Sequence, residues 1–211
     1  MDFKKGFFVF ISIFIYTGVF SNTALAANCK ALFNKLDKQL YQISTKDRIK
    51  KLIAIEEALF KAIDKCRTKS GMFVLMGEVQ IDMGQVPLSV VYGRKAVELD
   101  NKYWRAHKLL GSARMLNRES ELGLKNLRQA VALAPNNINA RLNLVSALVQ
   151  NKEFDEALTM VNKIIAIKDK DSLATAYYLR SKAYQGNGLI IEADKDLKAA
   201  QKLGFEIEQR H

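Results

Sequence analysis

A period of 34 residues constrains this chain more than any other feature. The segment Arg94–Asn101 (RKAVELDN) returns 34 residues later as Arg128–Pro135 (RQAVALAP). Two positions of the period keep small or aliphatic residues through four units, at steps of 34, 34 and 36: Ala96, Ala130, Ile164 and Ala200, and Leu99, Leu133, Ile167 and Leu203. Periods of this length indicate stacked copies of one supersecondary unit. We therefore expect a solenoid.

The shortage of helix breakers indicates which kind of unit is stacked. The 211 residues include only 2 Pro and 11 Gly, whereas average proteins contain roughly 5% Pro. Few breakers allow long helices, which disfavours a β-sandwich or a collagen-like chain. The predicted fold class is all-α.

The first segment, 1–26, has the features of a secretory signal. Lys4 and Lys5 precede an uncharged run of 14 residues, Phe7–Phe20, and Ala24-Leu25-Ala26 has the small-x-small pattern of a cleavage site. An uncleaved membrane anchor is the alternative, although a spanning helix needs about 20 apolar residues. A lipoprotein is a third reading, but Asn28 precedes Cys29 where that motif requires a small residue. We expect cleavage and a periplasmic location.

Removal of this segment leaves the basic character almost unchanged. The whole chain has 33 Lys and Arg against 22 Asp and Glu, a net charge of +11, and 27–211 retains +10. The charge therefore belongs to the folded part. It favours an anionic partner outside the cytoplasm.

Small and bulky residues recur at fixed places within each unit. They are Phe73, Met76, Gly77, Ala96 and Leu99 in the first; Leu110, Gly111, Leu127, Ala130 and Pro135 in the second; Leu144, Leu148, Phe154, Ala157 and Val161 in the third; and Tyr177, Ser181, Tyr184, Ala193, Leu197 and Ala200 in the fourth. This pattern resembles the tetratricopeptide repeat (TPR) family, whose unit is a 34-residue helix–turn–helix. The chain departs from it at Gln80, Arg114, Ser89, Gly123, Val145 and Arg180.

The resemblance implies a right-handed α-solenoid of about four helix pairs with a helical cap. The predicted ranges are 27–69 for the cap, 70–103, 104–137, 138–173 and 174–207 for the repeats, and 208–211 for a tail. The step of 36 residues between the third and fourth units has two residues more than the other steps. We expect these two residues to lie in a loop at Lys168–Asp171. Gly186-Asn187-Gly188 is expected to form the turn of the last unit.

Residues 28–66 are predicted to form a helix hairpin broken near Ser44–Asp47, which caps the stack. Cys29 lies near the start of its first helix and Cys66 at the end of its second. Because the ends of an antiparallel pair meet, we expect a Cys29–Cys66 disulfide, with Cys29 in an extended segment before the helix. Two thiols that are free or paired between molecules are the alternative.

The sequence offers little for catalysis. It has no nucleophile motif, phosphate loop or metal-ligand cluster, and its 2 Cys and 2 His would all be consumed by one zinc site. We expect His107 to have a packing role, His211 at the end of the sequence to be mobile, and the glycines at 186 and 188 to form a turn without a nucleotide site. No enzyme activity, metal or cofactor is predicted.

In TPR proteins the first helix of each pair lines a concave groove. Carried over residue by residue, the groove positions are Gly71, Val74, Glu78, Ile81, Arg105, Lys108, Ser112, Met115, Asn139, Leu142, Ser146, Val149, Thr175, Tyr178, Lys182 and Gln185. This mixture of apolar and basic side chains suits an extended or helical peptide with acidic residues or a free carboxylate. Solvated side chains without a ligand are the alternative.

These observations predict a non-catalytic periplasmic scaffold that binds a protein or peptide in an envelope assembly or biogenesis process. The alternative is a basic protein that binds anionic lipid head groups or envelope polymers. A nucleic-acid partner is not expected for an exported chain without an aromatic-basic motif.

Overall fold

The computed structural model describes residues 28–43, 47–63, 66 and 70–206. The predicted signal segment and the predicted tail lie outside the described residues. Within these ranges the chain forms ten helices and no strand. The all-α solenoid predicted from the sequence is confirmed.

The helices follow one another with short connections. They are α1 (28–41), α2 (Arg48–Ile63), α3 (Ser70–Asp82), α4 (Val86–Leu99), α5 (Trp104–Leu116), α6 (Ser120–Leu133), α7 (Ile138–Gln150), α8 (Phe154–Ile167), α9 (Lys170–Gly186) and α10 (Ile190–Lys202). Each of the pairs α3–α4, α5–α6, α7–α8 and α9–α10 forms one repeat, and successive repeats pack on one another. None of the described helices is long and apolar enough to cross a bilayer.

A three-residue turn joins the two helices of every repeat. Its middle residue has a positive φ in all four copies: Gly84 (76°), Arg118 (64°), Lys152 (64°) and Gly188 (75°). In the second and third repeats an Asn before this residue donates a side-chain hydrogen bond to the Glu after it. The recurrence of one backbone conformation gives each repeat the same reversal of direction.

Close helix contact within the second repeat depends on two glycines. A Cβ at Gly111 would lie 3.0 Å from the carbonyl oxygen of Gly123, and one at Gly123 would lie 2.7 Å from the sulfur of Met115. The family pattern has Ala where this chain has Gly123. Met115 occupies the space that the methyl group of an alanine at position 123 would need, which explains why glycine stands there.

The last repeat differs from the prediction at its start. α9 begins at Lys170, four residues before the expected boundary, and has 17 residues where α5 and α7 have 13. Asp169 caps it by accepting a hydrogen bond from the Ser172 backbone N–H at 3.1 Å. The loop predicted at Lys168–Asp171 is therefore wrong: the connection is shortened, and the extra residues extend the helix.

Gly186 also differs from its predicted role in the turn. It is the last residue of α9, and only Gly188 of the two glycines has a positive φ. A Cβ on Gly186 would overlap the ring of Phe154 on α8. Gly186 therefore permits contact between repeats, and Asn187, Gly188 and Leu189 make the turn.

The cap hairpin is closed by the predicted disulfide. Cys29 and Cys66 are bonded, with their Cα atoms 6.0 Å apart, and both are buried among apolar residues of α1, α2 and α3. The expected extended segment at Cys29 is wrong, because Cys29 lies in α1 while Cys66 lies beyond the end of α2.

The outward face of the last helix pair is more polar than the same face of the third. Ser181, Gln185 and Asp194 stand where the third repeat has Val145, Val149 and Leu158. Val145, Val149 and Leu158 belong to or pack against the core cluster that also includes residues of α9. Gln185 and Asp194 are exposed and suit α9–α10 to face solvent at this end of the stack. Ser181 is buried, and its hydroxyl donates a hydrogen bond to the carbonyl oxygen of Tyr178.

Candidate peptide groove

The first helices of the four repeats lie side by side. α3 contacts α5, α5 contacts α7, and α7 contacts α9. This row carries the positions that the sequence assigned to a groove. The two halves of the row differ in what covers them.

The half formed by α3 and α5 is occupied by the chain's own α1. Arg105 Nη1 and Nη2 donate to the two carboxylate oxygens of Asp37, at 3.1 and 2.8 Å. Arg105 also donates to Glu78 at 3.2 Å, and Lys108 Nζ donates to the other oxygen of Glu78 at 3.0 Å. Two of the three cations predicted for the groove, Arg105 and Lys108, are thus neutralised within the molecule.

Aromatic residues of α1 complete this contact. The Arg105 guanidinium lies 5.8 Å from the centre of the Phe33 ring and 3.5 Å from the hydroxyl oxygen of Tyr41. Phe33 also lies against Gly71, where a Cβ would come within 2.8 Å of the ring. Phe33, Asp37 and Tyr41 are spaced by four residues and therefore share one face of α1.

Burial and ion pairing act in opposite directions on Arg105. Burial lowers the pKa of the guanidinium, but the hydrogen bonds to Asp37 and the charge of Glu78 outweigh it and hold that pKa above its ordinary value. Nearby, burial raises the pKa of the Tyr103 hydroxyl. Arg105 is therefore a permanent cation that requires its carboxylate partners.

Several apolar residues predicted for the groove pack between helices. Val74 is fully buried against Ala96, Ala106 and Leu109, so its assignment to an open groove is wrong. Three others are only partly exposed and pack against core clusters: Ile81, Met115 and Val149. They face the layer between neighbouring helices. The position of a residue within the repeat does not by itself show whether its side chain lies in this layer or on the groove surface.

The half formed by α7 and α9 contains an open cleft of about 710 Å³. Its lining combines amides, hydroxyls, two carboxylates and a few apolar side chains: Asn136, Asn137, Ile138, Asn139, Leu142, Asn143, Ser146, Asp169, Asp171, Ser172, Thr175, Tyr178, Leu179 and Phe205. The structure thus brings together the predicted residues Asn139, Leu142, Ser146, Thr175 and Tyr178.

The remaining predicted positions lie elsewhere. Lys182 and Gln185 line a smaller cleft of about 250 Å³ between α9 and α10, and the Lys182 ammonium lies 5.8 Å from the centre of the Tyr178 ring. Ser112 donates a hydrogen bond to Asn143 at 3.3 Å, which joins α5 to the wall of the larger cleft.

Sequence reasoning missed the acidic and aromatic parts of the large cleft. Asp169 and Asp171 were assigned to a loop, and Phe205 was given no role. Phe205 stacks on Tyr178 with ring centres 4.4 Å apart. No sequence signal places Phe205 there, because it follows α10 and returns to α9 only in the folded chain.

Arg180 forms a second buried ion pair, between α9 and α10. Its Nε and Nη2 atoms donate to the two oxygens of Asp196 at 2.6 and 2.9 Å, and Nη1 donates to Asn162 at 2.7 Å. The guanidinium also lies over the rings of Tyr177 and Tyr184. The hydrogen bonds to Asp196 raise the pKa of Arg180. These contacts replace the packing of the Leu that the family has here.

His107 is buried and lies within hydrogen-bond distance of a backbone group. Its Nε2 atom is 2.9 Å from the carbonyl oxygen of Asn101. This environment agrees with a structural role. Among the described residues, no group of three or more His, Cys, Asp and Glu side chains is placed to hold a metal ion.

Stacked helix pairs with a row of first helices along one groove define this protein as an α-solenoid. Residues 122–182 match the model of the tetratricopeptide repeat family. This match extends from the second repeat into the fourth and confirms the resemblance to tetratricopeptide repeats that the sequence indicated. No match is found among curated proteins.

Solved structures share the fold. MamA is 26% identical, with a TM-score of 0.59 over 76% of this chain and 95% of the other. TTC0263, a thermophilic TPR protein of Thermus thermophilus, is 16% identical, with a TM-score of 0.63 over 74% and 84%. YrrB, described as a TPR protein with an unusual peptide-binding site, is 19% identical, with a TM-score of 0.57 over 74% and 79%.

Proposed function

We propose that this protein is an exported, non-catalytic scaffold that holds a segment of a protein partner in the cleft between α7 and α9, in an envelope assembly or biogenesis process. The observation that carries the proposal is that this cleft of about 710 Å³ is open, whereas the groove at α3 and α5 is filled by α1. Polar groups beside an apolar floor suit the backbone and side chains of a peptide. A peptide-binding site in the similarly folded YrrB supports the same mode of use.

Two features support an exported location. The segment 1–26 has the composition of a secretory signal. The Cys29–Cys66 disulfide belongs in an oxidising compartment, since such bonds are rare in the cytosol. We propose the bacterial periplasm as that compartment. Fractionation of cells that express the full chain would test this proposal by showing whether the protein is found in the periplasmic fraction.

The groove proposal is tested by two matched arginine substitutions. Thr175→Arg places a long cation inside the cleft, whereas Thr159→Arg makes the same change on the outer helix α8, away from this cleft. The exported protein and both variants would be used to capture partners from an envelope fraction, with mass spectrometry of what is retained.

We expect Thr175→Arg to reduce capture of the partner at least tenfold and Thr159→Arg to leave it unchanged. Equal capture by the two variants would reject the cleft as the binding site. A wild-type protein that enriches nothing would reject the scaffold function.

A second candidate function is attachment to an anionic membrane surface. α2 exposes apolar and basic side chains together: Ile49, Ile53, Phe60, Arg48, Lys50, Lys51 and Lys61. Such a mixture suits the interface of an anionic bilayer. Cosedimentation of the protein with phosphatidylglycerol vesicles would support membrane attachment. We expect this binding to be lost in the double variant Ile53→Ser/Phe60→Ser and in high salt. Absence of binding at low salt would reject it.

A further inference from the structure

The cleft between α7 and α9 has the length of a short peptide segment. Asp171, Thr175 and Tyr178 are spaced along one face of α9, and Asn139 and Ser146 lie on the facing wall of α7. Seven helical residues span about 10 Å. An extended chain covers that length with about three residues, so about three residues of a bound peptide would lie between Asp171 and Tyr178.

The floor and one end of the cleft are apolar. Leu142 and Leu179 lie at the floor, each with 8% of its surface exposed. The stacked rings of Tyr178 and Phe205 form the wall at one end. These side chains offer a place for an apolar residue of the ligand, since its burial removes apolar surface from water.

The other end carries the charged side chains of the lining. Asp169 uses its carboxylate to cap α9, whereas Asp171 is exposed and has no hydrogen bond or ion pair with any described residue. Among the described residues, no Lys, Arg or His lines this cleft, although the chain has a net charge of +11. The local charge thus opposes the charge of the whole molecule.

The half of the groove formed by α3 and α5 offers no cation that is free to bind an acidic ligand. Arg105 and Lys108 are paired with Asp37 and Glu78 and have side chains only 14% and 16% exposed. The preference for an acidic partner that the sequence suggested rests on these two residues and on Lys182. Arg105 and Lys108 are paired internally, and Lys182 lines the smaller cleft between α9 and α10 rather than this one.

We propose that the cleft binds an extended segment in which a Lys or Arg side chain meets Asp171 and an apolar side chain packs against Leu142, Leu179 and the Tyr178–Phe205 stack. The proposal rests on the peptide-binding function above and names the chemistry of its ligand. The carboxylate supplies charge complementarity, and the aromatic end fixes the direction of the peptide.

Two synthetic probes test this preference. They are ten-residue peptides with blocked ends and two leucines, identical except that three lysines in one are three glutamates in the other. The basic chain attracts the glutamate peptide and repels the lysine peptide at long range. Non-specific electrostatic attraction therefore favours the glutamate peptide, so it cannot produce the tighter binding of the lysine peptide that the proposal predicts. Affinity is measured by fluorescence anisotropy at physiological salt, and amide chemical shifts locate the bound peptide.

The matched variants are Asp171→Asn and Glu192→Gln, since each removes one carboxylate from the first turn of a helix. We expect the lysine peptide to bind the full chain at least fivefold more tightly than the glutamate peptide, with shifts at Thr175 and Asn139. Asp171→Asn should lower that affinity about fivefold, and Glu192→Gln should not change it.

Three results would overturn the proposal. They are tighter binding of the glutamate peptide in the cleft, equal affinity of Asp171→Asn and wild type for the lysine peptide, and shifts that lie outside the cleft. The first of these would leave the peptide-binding function intact, because only the charge preference would have failed. Partner capture by Thr175→Arg decides that function separately.

Discussion

Arg105 of α5 forms a two-point ion pair with Asp37 of α1, a residue 68 positions earlier in the chain. The contact places α1 over the groove of the first two repeats. The cap therefore does more than shield the end of the stack from water. It also decides which part of the groove remains open to a partner.

Loss of this pair should loosen α1. We expect Asp37→Asn to lower the free energy of unfolding by about 2 kcal/mol, because Arg105 loses a charged partner in a largely buried place. Urea denaturation gives the value, and hydrogen exchange of α1 shows where the change occurs. Glu57→Gln, which removes an exposed carboxylate of α2, should change stability by less than about 0.5 kcal/mol. Equal effects of the two variants would contradict this role for Asp37.

Arg180 should be stabilising although the family pattern has Leu at its position. We expect Arg180→Leu to cost about 3 kcal/mol, because it leaves the carboxylate of Asp196, 6% exposed, without its cation. Arg180→Leu combined with Asp196→Ala should recover much of that loss. Thermal and urea unfolding of both variants and the wild type measure it. A more stable single variant would show that the Leu of the family fits here better than the ion pair.

Gly186 and Gly188 should respond to alanine for different reasons. Gly186→Ala should destabilise by about 1–3 kcal/mol because the new methyl group overlaps Phe154, despite the higher helix propensity of alanine. Phe154→Leu should reduce that penalty. Gly188→Ala should cost about 1 kcal/mol through its positive φ alone, with no rescue by Phe154→Leu. Rescue of both variants, or of neither, would reject the distinction.

Glycine should stabilise the turns that hold Arg118 and Lys152 in the left-handed region. Lys152 is exposed and has a φ of 64°, so Lys152→Gly should raise the free energy of unfolding by about 0.5–1 kcal/mol. Lys163→Gly, an exposed site inside α8, should lower it by about 1 kcal/mol. Urea denaturation of the two variants tests this prediction, which requires the free energy of unfolding to rise in Lys152→Gly and to fall in Lys163→Gly.

The disulfide should hold the cap closed. Its cysteines are 37 residues apart, and a loop of this size is worth about 4 kcal/mol in the chain-entropy model. We expect Cys29→Ser/Cys66→Ser to lose stability by that order and to increase hydrogen exchange in α1 and α2 before α7–α10. Uniform exchange across all helices would show that the bond does not act on the cap alone.

The sequence by itself determined the helical class and the repeated unit, and it predicted the pairing of the two cysteines that the structure contains. These follow from local information: a 34-residue period, a shortage of breakers and the position of Cys29 and Cys66 at the ends of one hairpin. The spacing of Phe33, Asp37 and Tyr41 was also visible, but nothing local says which surface that face of α1 meets.

Only the tertiary structure decided what each side chain of the groove does. Val74 and Arg105 both occupy groove positions in the repeat register, yet one is buried between helices and the other is covered by α1. Phe205 reaches the cleft by returning from beyond α10. A periodic sequence specifies the contacts of each repeat with its neighbours. The contacts made by α1 and by the segment after α10 break that period, so they depend on the assembled chain.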